Sequence, residues 1–131
     1  MRITLTSVPV KDQEHALNFY VEKLGFIKKQ DIPMGEHRWL TLVSPEGPSE
    51  VELLLEPLGF EPAKAYYKSL YEAGIPVAQF EVDNLDHEMM TLKEKGVVFR
   101  GEAQEMGGVK FVMIEDSCDN LLCIAEKSSG N

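Results

Sequence analysis

The chain has 131 residues and a formal net charge of −9, from 13 Lys and Arg against 22 Asp and Glu. Its 44% hydrophobic and 27% charged residues are typical of one globular domain, and the lack of Lys and Arg clusters excludes nucleic acid as an expected partner. No apolar run approaches the roughly 20 residues of a membrane span, and no signal-peptide pattern opens the chain. We therefore expect a cytoplasmic protein with no membrane partner.

The first half of the chain carries the pattern of one strand, one helix and three further strands. An alternating, β-branched stretch over residues 3–10 predicts the first strand. Asp12 is the expected N-cap of a helix that ends at Gly25. Turns rich in glycine and proline separate the three strand patterns that follow, at residues 26–32, 37–44 and 51–57. A further helical pattern, ended by glycine, predicts a linker helix over about residues 62–74.

The second half repeats this order. A strand pattern at residues 76–82 precedes a helix that begins at Asp83 or Asn84 and ends at Gly96. Three more strand patterns follow, at residues 97–104, 110–116 and 121–126.

A constant shift of 71 residues relates the two halves. It superimposes Gly25 on Gly96 and Glu52 on Cys123, which indicates a duplicated folding unit. We predict an α+β fold of two tandem βαβββ modules within a single domain, residues 1–131. Module one covers residues 1–57 and module two covers residues 75–127.

Paired βαβββ modules are typical of the vicinal oxygen chelate superfamily, which includes glyoxalase I, bleomycin resistance proteins and extradiol dioxygenases. This chain resembles that family over nearly its whole length, in the stretches ALNFYVEKLGF, VELLLEP, FEVDNLD and DSCDNLLCIAE. The resemblance implies two curled mixed sheets facing each other around a cavity. It also implies a homodimer, since relatives commonly pair modules across two chains.

The metal-dependent members of that family hold a divalent ion between the modules. Their ligands are typically a His on the first strand and a Glu on the last strand of each module. The matching positions here are Leu5, Val77 (Pro76 by the strict shift), Glu52 and Cys123. Leucine and valine carry no donor atoms, and stable sites generally need three or four protein ligands. We therefore expect neither a metal ion nor another cofactor.

Alternation along the strands predicts which side chains line such a cavity. Either Trp39 or Arg38 joins this set, because the sequence leaves the register of their strand open. Glu52 is the polar group of most interest: it could bind a ligand, face water, or pair with Arg38. The remaining predicted lining residues are Leu5, Ser7, Leu54, Val77, Gln79, Glu81 and Cys123.

Three functions fit this pattern. Apolar walls with a few polar groups are typical of a small-molecule site, so we favour a metal-free binding protein, and the acidic composition suggests a cationic ligand. The first alternative is a lyase or dioxygenase-type enzyme that uses displaced metal ligands, or Glu52 as an acid–base group with a raised pKa. The second alternative is an interaction module without a ligand.

Overall fold

A computed structural model describes residues 1–127 of the chain. The chain forms two compact units, Met1–Tyr67 and Lys68–Asn131. Each unit contains one four-stranded mixed sheet, and three α-helices occur within the described residues. The predicted α+β fold of two tandem modules with curled, unclosed sheets is confirmed.

The first unit places its strands in the order β1-β4-β3-β2. The first and last strands of the module pair in parallel, and the other neighbours are antiparallel. Its elements are β1 (Leu5–Val10), α1 (Gln13–Asn18), β2 (Ile27–Met34), β3 (His37–Val43) and β4 (Glu52–Pro57).

The first helix begins as predicted but does not stay α-helical. The Asp12 side chain accepts a hydrogen bond from the His15 backbone N–H at 3.0 Å, which makes Asp12 the N-cap of α1. After α1 the chain continues as a π-helical turn, Phe19–Lys23, whose first two residues are consecutive buried aromatics. The wider turn carries both rings into the core, where they meet edge to face with centroids 5.7 Å apart. Gly25 follows with φ +86°, the left-handed conformation that glycine adopts without strain.

The linker helix is α2 (Glu61–Glu72), close to the predicted residues 62–74. The boundary between the two compact units falls inside it, after Tyr67. None of its residues is buried. No described helix is long and apolar enough to cross a membrane.

The second unit repeats the topology, with strand order β5-β8-β7-β6. Its N-cap residue is Asn84 and not Asp83, because the Asn84 side chain accepts the His87 backbone N–H at 2.9 Å. The elements are β5 (Ala78–Val82), α3 (Leu85–Glu94), β6 (Gln104–Met106), β7 (Val109–Glu115) and β8 (Leu121–Glu126).

The predicted strand at residues 97–104 is mostly wrong. Phe99 makes one isolated bridge to Ile114, and the Arg100 N–H donates to the Met113 carbonyl at 2.9 Å. The chain then turns at Gly101, where φ is +98°, and regular pairing resumes only in β6. A glycine at positive φ interrupts the extended backbone that a continuous strand needs.

Helices α1 and α3 each cover one face of the sheet in their own unit. In the first unit α1 packs on β3 and β4, and the covered core includes Val8, Val10, Leu40, Leu42 and Leu55, all fully buried. In the second unit α3 packs on β8 through its buried residues Leu85 and Leu92. Most of the predicted site residues lie on the faces opposite α1 and α3.

A buried carboxylate organises the turn between β7 and β8. Asp116 is fully buried, and its Oδ1 accepts the backbone N–H groups of Cys118 at 2.7 Å and Asn120 at 3.0 Å. Its Oδ2 accepts the Asn120 side-chain amide at 2.8 Å. These bonds hold the turn although Ser117 and Asp119 both have positive φ, at 63° and 62°. Cys118 and Cys123 are buried, and neither takes part in a disulfide.

Candidate functional site

Strand pairing settles which side chains share the uncovered face of the first sheet, called the open face below. Paired residues of neighbouring strands point to the same side, and alternate residues along a strand do so as well. Thr41 pairs with Leu54 and lies two residues from Trp39, so Trp39 is on the open face and Arg38 is on the α1 face. The open face includes Leu5, Ser7, Gln30, Ile32, Met34, Trp39, Thr41, Glu52 and Leu54.

Arg38 has its own partners on the α1 face. Its guanidinium contacts Glu14 at 2.8 Å and Asp31 at 2.8 Å. The hydrogen bond from Arg38 lowers the pKa of Asp31 to about 2, and the same pair raises the pKa of Arg38. The predicted alternative in which Arg38 pairs with Glu52 is therefore wrong, because the two side chains lie on opposite faces.

Glu52 lies at the centre of a polar cluster on the open face. Its Oε1 accepts a hydrogen bond from Gln30 Nε2 at 2.6 Å and another from Thr41 Oγ1 at 2.7 Å. Its Oε2 lies 3.4 Å from Lys29 Nζ, and the Glu52 side chain is 16% exposed. Both carboxylate oxygens are therefore engaged by this unit's own side chains.

Lys29 reaches Glu52 because of an irregularity in β2. Lys28 pairs with Leu42 and Gln30 pairs with Thr41, which leaves Lys29 as the extra residue of a β-bulge. A strictly alternating strand would place Lys29 and Gln30 on opposite faces. The bulge brings both side chains to Glu52, and Lys29 Nζ also donates to the Ser49 carbonyl at 2.8 Å.

The hydrogen bonds to Glu52 decide its charge. The bond from Thr41, then that from Gln30, and the nearby Lys29 lower the pKa of Glu52 below its ordinary value, against the opposing effect of burial. The raised pKa expected of an acid–base Glu52 is wrong. Glu52 is ionised at neutral pH, as a fixed hydrogen-bond acceptor.

The first sheet is split beside this cluster. Regular pairing of β3 with β4 covers Thr41 and Leu42, and beyond it the side-chain amide of Gln13 lies between the two strands. Gln13 Nε2 donates to the carbonyls of Arg38 at 2.7 Å and Leu55 at 2.9 Å, while its Oε1 accepts the Arg38 N–H at 3.0 Å. One side chain thus replaces the backbone bonds of the missing ladder.

Large apolar side chains surround the polar cluster. Exposed fractions on the open face are 44% for Leu5, 49% for Ile32 and 58% for Met34, and the Trp39 ring is half-buried. Ile32 is the strand partner of Trp39. An exposed apolar surface around a few ordered polar groups is the usual composition of a small-molecule site.

The remaining predicted site residues belong to the second sheet. Gln79 pairs with Cys123, and both lie on the face opposite α3, as does Glu81. Gln79 and Glu81 are exposed, Cys123 is buried, and burial raises the pKa of its thiol. Val77 precedes β5, and its N–H donates to the Leu121 carbonyl at 2.9 Å.

The constant shift of 71 does not hold along the modules. The parallel strand pair ends at Val10 and Pro57 in the first module, and at Val82 and Glu126 in the second. Val82 lies 72 residues after Val10, whereas Glu126 lies 69 residues after Pro57. Counted back along β8, the counterpart of Glu52 is Leu121, two residues before the predicted Cys123. The loops between strands differ in length, so no single shift aligns every element.

Sequence analysis missed a second polar cluster, in the second unit. Glu115 Oε1 accepts the Tyr71 hydroxyl at 2.7 Å, and its Oε2 accepts Arg100 Nε at 2.8 Å. The Arg100 guanidinium lies 5.0 Å from the centre of the Tyr71 ring. The hydrogen bond to Glu115 raises the pKa of Tyr71. The cluster links α2 to β7. The signal for it in the sequence was Glu115, an acidic residue at the end of a hydrophobic strand pattern.

The side chains at the family's ligand positions do not fit a divalent metal ion. Leu5 pairs directly with Glu52, so a hydrocarbon stands beside the carboxylate, and Glu52 is engaged by Lys29, Gln30 and Thr41. Across residues 1–127, no group of three or more His, Cys, Asp and Glu side chains is close enough together to hold a metal ion.

The lowered pKa of Glu52 predicts a specific acid response. The folded-state pKa lies below the unfolded value, so this group's stabilisation is complete above about pH 4.5 and disappears as the pH falls through the folded-state pKa. Glu52→Gln removes the titration. We expect the difference in melting temperature between wild type and Glu52→Gln to be largest at pH 7 and to shrink towards pH 3. A difference that grows on acidification would contradict the lowered pKa.

Comparison with known proteins places this geometry in a family. The model of the Glyoxalase/Bleomycin resistance protein/Dioxygenase superfamily matches residues 2–124. The Bacillus subtilis protein YurT is 49% identical, over 97% of this chain and 100% of YurT. The mitochondrial methylmalonyl-CoA epimerase of Bos taurus is 32% identical, over 97% of this chain and 74% of the epimerase.

Solved structures agree with this assignment. UcmS2 has a TM-score of 0.81 and 31% identity, covering 95% of this chain and 97% of UcmS2. TnmS3, an antibiotic binding protein from Streptomyces sp. CB03234, has a TM-score of 0.74 and 26% identity, covering 98% of this chain and 97% of TnmS3. The family model and these neighbours together show that the chain belongs to the glyoxalase/bleomycin resistance protein/dioxygenase superfamily.

Proposed function

We propose that this chain is a small-molecule-binding protein of the cytoplasm, without a divalent metal, whose ligand lies on the open face of the first sheet. The observation that carries the proposal is the composition of that face. An ionised, fully hydrogen-bonded Glu52 lies among exposed apolar side chains, next to the half-buried ring of Trp39. The ring offers a flat apolar contact, and the polar cluster offers orientation.

One structural neighbour supports a binding function. TnmS3 is described as an antibiotic binding protein, and its 26% identity spans almost the whole of both chains. The hydrogen-bonding state of Glu52 adds to this, because a carboxylate with both oxygens engaged and a lowered pKa is poorly suited to transferring a proton at neutral pH.

The epimerase relative supports an enzyme as the second candidate. Its 32% identity to this chain is higher than the 26% of TnmS3, the antibiotic binding protein. An enzyme of the lyase or epimerase type would need a proton-transferring group or a metal centre. Metal analysis of the purified protein, with an assay of methylmalonyl-CoA epimerisation on the same sample, separates this candidate from the binding protein.

The binding proposal is tested with a neutral aromatic probe, N-phenyl-1-naphthylamine. Trp39 is the single tryptophan of the chain, so energy transfer from it reports binding close to the open face. Saturable binding is expected, and Trp39→Ala should weaken it about tenfold, measured by probe fluorescence, because the aromatic contact is lost. Phe60→Ala removes another exposed ring, outside the sheet, and should leave the affinity unchanged. Absence of saturable binding, or equal losses in both variants, would refute the proposal.

We propose further that the protein is a homodimer, as its resemblance to the family implied. Light scattering of the same samples tests this, with a mass near twice the 14.7 kDa of one chain expected. If the open face were instead a self-association surface, Trp39→Ala would convert the dimer to monomers. An unchanged mass in that variant would exclude self-association through Trp39.

A further inference from the structure

We propose that the open face selects acidic aromatic compounds, whose anionic oxygen is bound by the ammonium group of Lys29. This inference rests on the proposed ligand-binding function and adds the chemical class of the ligand. It contrasts with the cationic ligand that the net charge of −9 suggests, because recognition depends on the local arrangement of charges and not on their total.

Lys29 has donor capacity left for a ligand. An ammonium group carries three N–H donors. Within the described chain, one is directed to the Ser49 carbonyl at 2.8 Å and another to Glu52 Oε2 at 3.4 Å. The Lys29 side chain is 39% exposed, so the third donor is accessible from solvent.

Glu52 is less accessible than Lys29. Its Oε1 already accepts two hydrogen bonds, its Oε2 faces the ammonium group, and its side chain is only 16% exposed. We assign Glu52 as a positioning residue, which holds Lys29 over the sheet. The charge that a ligand meets first on this part of the face is therefore positive.

The cost of binding differs between an anion and a cation. A ligand anion adds to Lys29 without breaking its bonds to Ser49 and Glu52. A ligand cation would have to displace Lys29 from Glu52 and leave the lysine to find new partners. The other carboxylate on this side of β4, Glu56, lies four residues from Glu52, or about 13 Å along the strand, which is too far to serve the same ligand group.

The Trp39 ring and the Lys29 ammonium group lie on the same face of the sheet. Thr41, which donates to Glu52, lies two residues from Trp39, or about 7 Å. The strand position level with Glu52 lies four residues from Trp39, or about 13 Å. The ammonium group held at Glu52 therefore lies about 7–13 Å from the ring along the strand. An aromatic acid of two or more rings spans that distance. Its rings would contact Trp39 while its acidic group reaches Lys29.

The test compares two probes that differ in one sulfonate group: 8-anilinonaphthalene-1-sulfonate and uncharged N-phenyl-1-naphthylamine. We expect Lys29→Met to weaken the sulfonate about tenfold and to change the neutral probe less than twofold, by fluorescence titration. Lys29→Arg keeps the charge and should retain most of the sulfonate affinity. Lys28→Met is the matched control, since Lys28 is the neighbouring lysine, carries the same charge and pairs with Asp31 on the other face.

Each outcome is decisive once circular dichroism shows that the variants are folded. An unchanged sulfonate affinity in Lys29→Met, or an equal loss in Lys28→Met, would overturn the assignment of Lys29. Tighter binding of a cationic aromatic dye, proflavine, than of the sulfonate would overturn the acidic class of ligand. If neither naphthalene probe binds wild type, the proposed function itself fails, whereas binding of the neutral probe alone leaves that function standing.

Discussion

Replacing Gln13 with leucine is expected to lower the free energy of unfolding by about 2–4 kcal/mol. The Gln13 amide makes three hydrogen bonds to backbone groups of Arg38 and Leu55, at the point where β3 and β4 separate. Leucine fills a similar space. It leaves the Arg38 N–H and the carbonyls of Arg38 and Leu55 without these partners beneath α1. Unpaired backbone groups away from water cost about as much as lost hydrogen bonds. Urea denaturation measures the change.

Two further variants separate this explanation from a general effect of losing an amide. Gln13→Asn keeps the amide but is one methylene shorter, so it should lose most of the same stability. Gln104→Leu makes the same replacement at an exposed position in β6 and should change the unfolding free energy by less than about 0.5 kcal/mol. A Gln13→Leu protein as stable as wild type would show that water replaces the amide between the strands.

The second large effect is expected at Asp116. Asp116→Ala removes the acceptor of two backbone N–H groups and one side-chain amide in a fully buried turn. We expect a loss of about 3 kcal/mol, the scale for breaking a buried hydrogen-bond network. The positive φ angles of Ser117 and Asp119 make this turn dependent on those bonds. Thermal and urea denaturation measure the loss.

Two control substitutions test this role of Asp116. One keeps the shape of its side chain, and the other removes a carboxylate at an exposed position. Asp116→Asn keeps an oxygen for the two backbone donors, so it should cost about 1 kcal/mol, provided that the Asn120 amide reorients. Asp83→Ala removes an exposed carboxylate just before α3 and should be nearly neutral. If Asp116→Ala were no more harmful than Asp83→Ala, the turn would be held by backbone contacts and not by the carboxylate.

Much of the fold was predictable from local patterns. Alternation and glycine stops gave the order of the elements, and the N-cap role of Asp12 followed from its position before an apolar helical stripe. These features depend on short stretches of chain, whose chemistry is visible in the residues themselves.

The rest of the site depends on contacts between distant residues. The hydrogen bond from Gln13 to Leu55 joins residues 42 positions apart. Nothing near Gln13 in the sequence indicates that the side chain of this helical residue bonds to the sheet. The sequence also leaves open which face of the sheet Trp39 occupies, because only the pairing of Thr41 with Leu54 determines it. Strand alternation also does not predict the direction of the Lys29 side chain, because a bulged residue lies outside the ladder and does not follow a period of two.

The bulge at Lys29 has a consequence for how this sheet can change over evolution or by design. Replacing a residue of a paired strand always removes whatever side chain was there. Inserting one residue at a bulge instead adds a side chain, while Lys28 keeps Leu42 and Gln30 keeps Thr41 as partners. Charge can thus be gained or lost on the open face by a change in the length of the chain, which a comparison of substitutions alone would overlook.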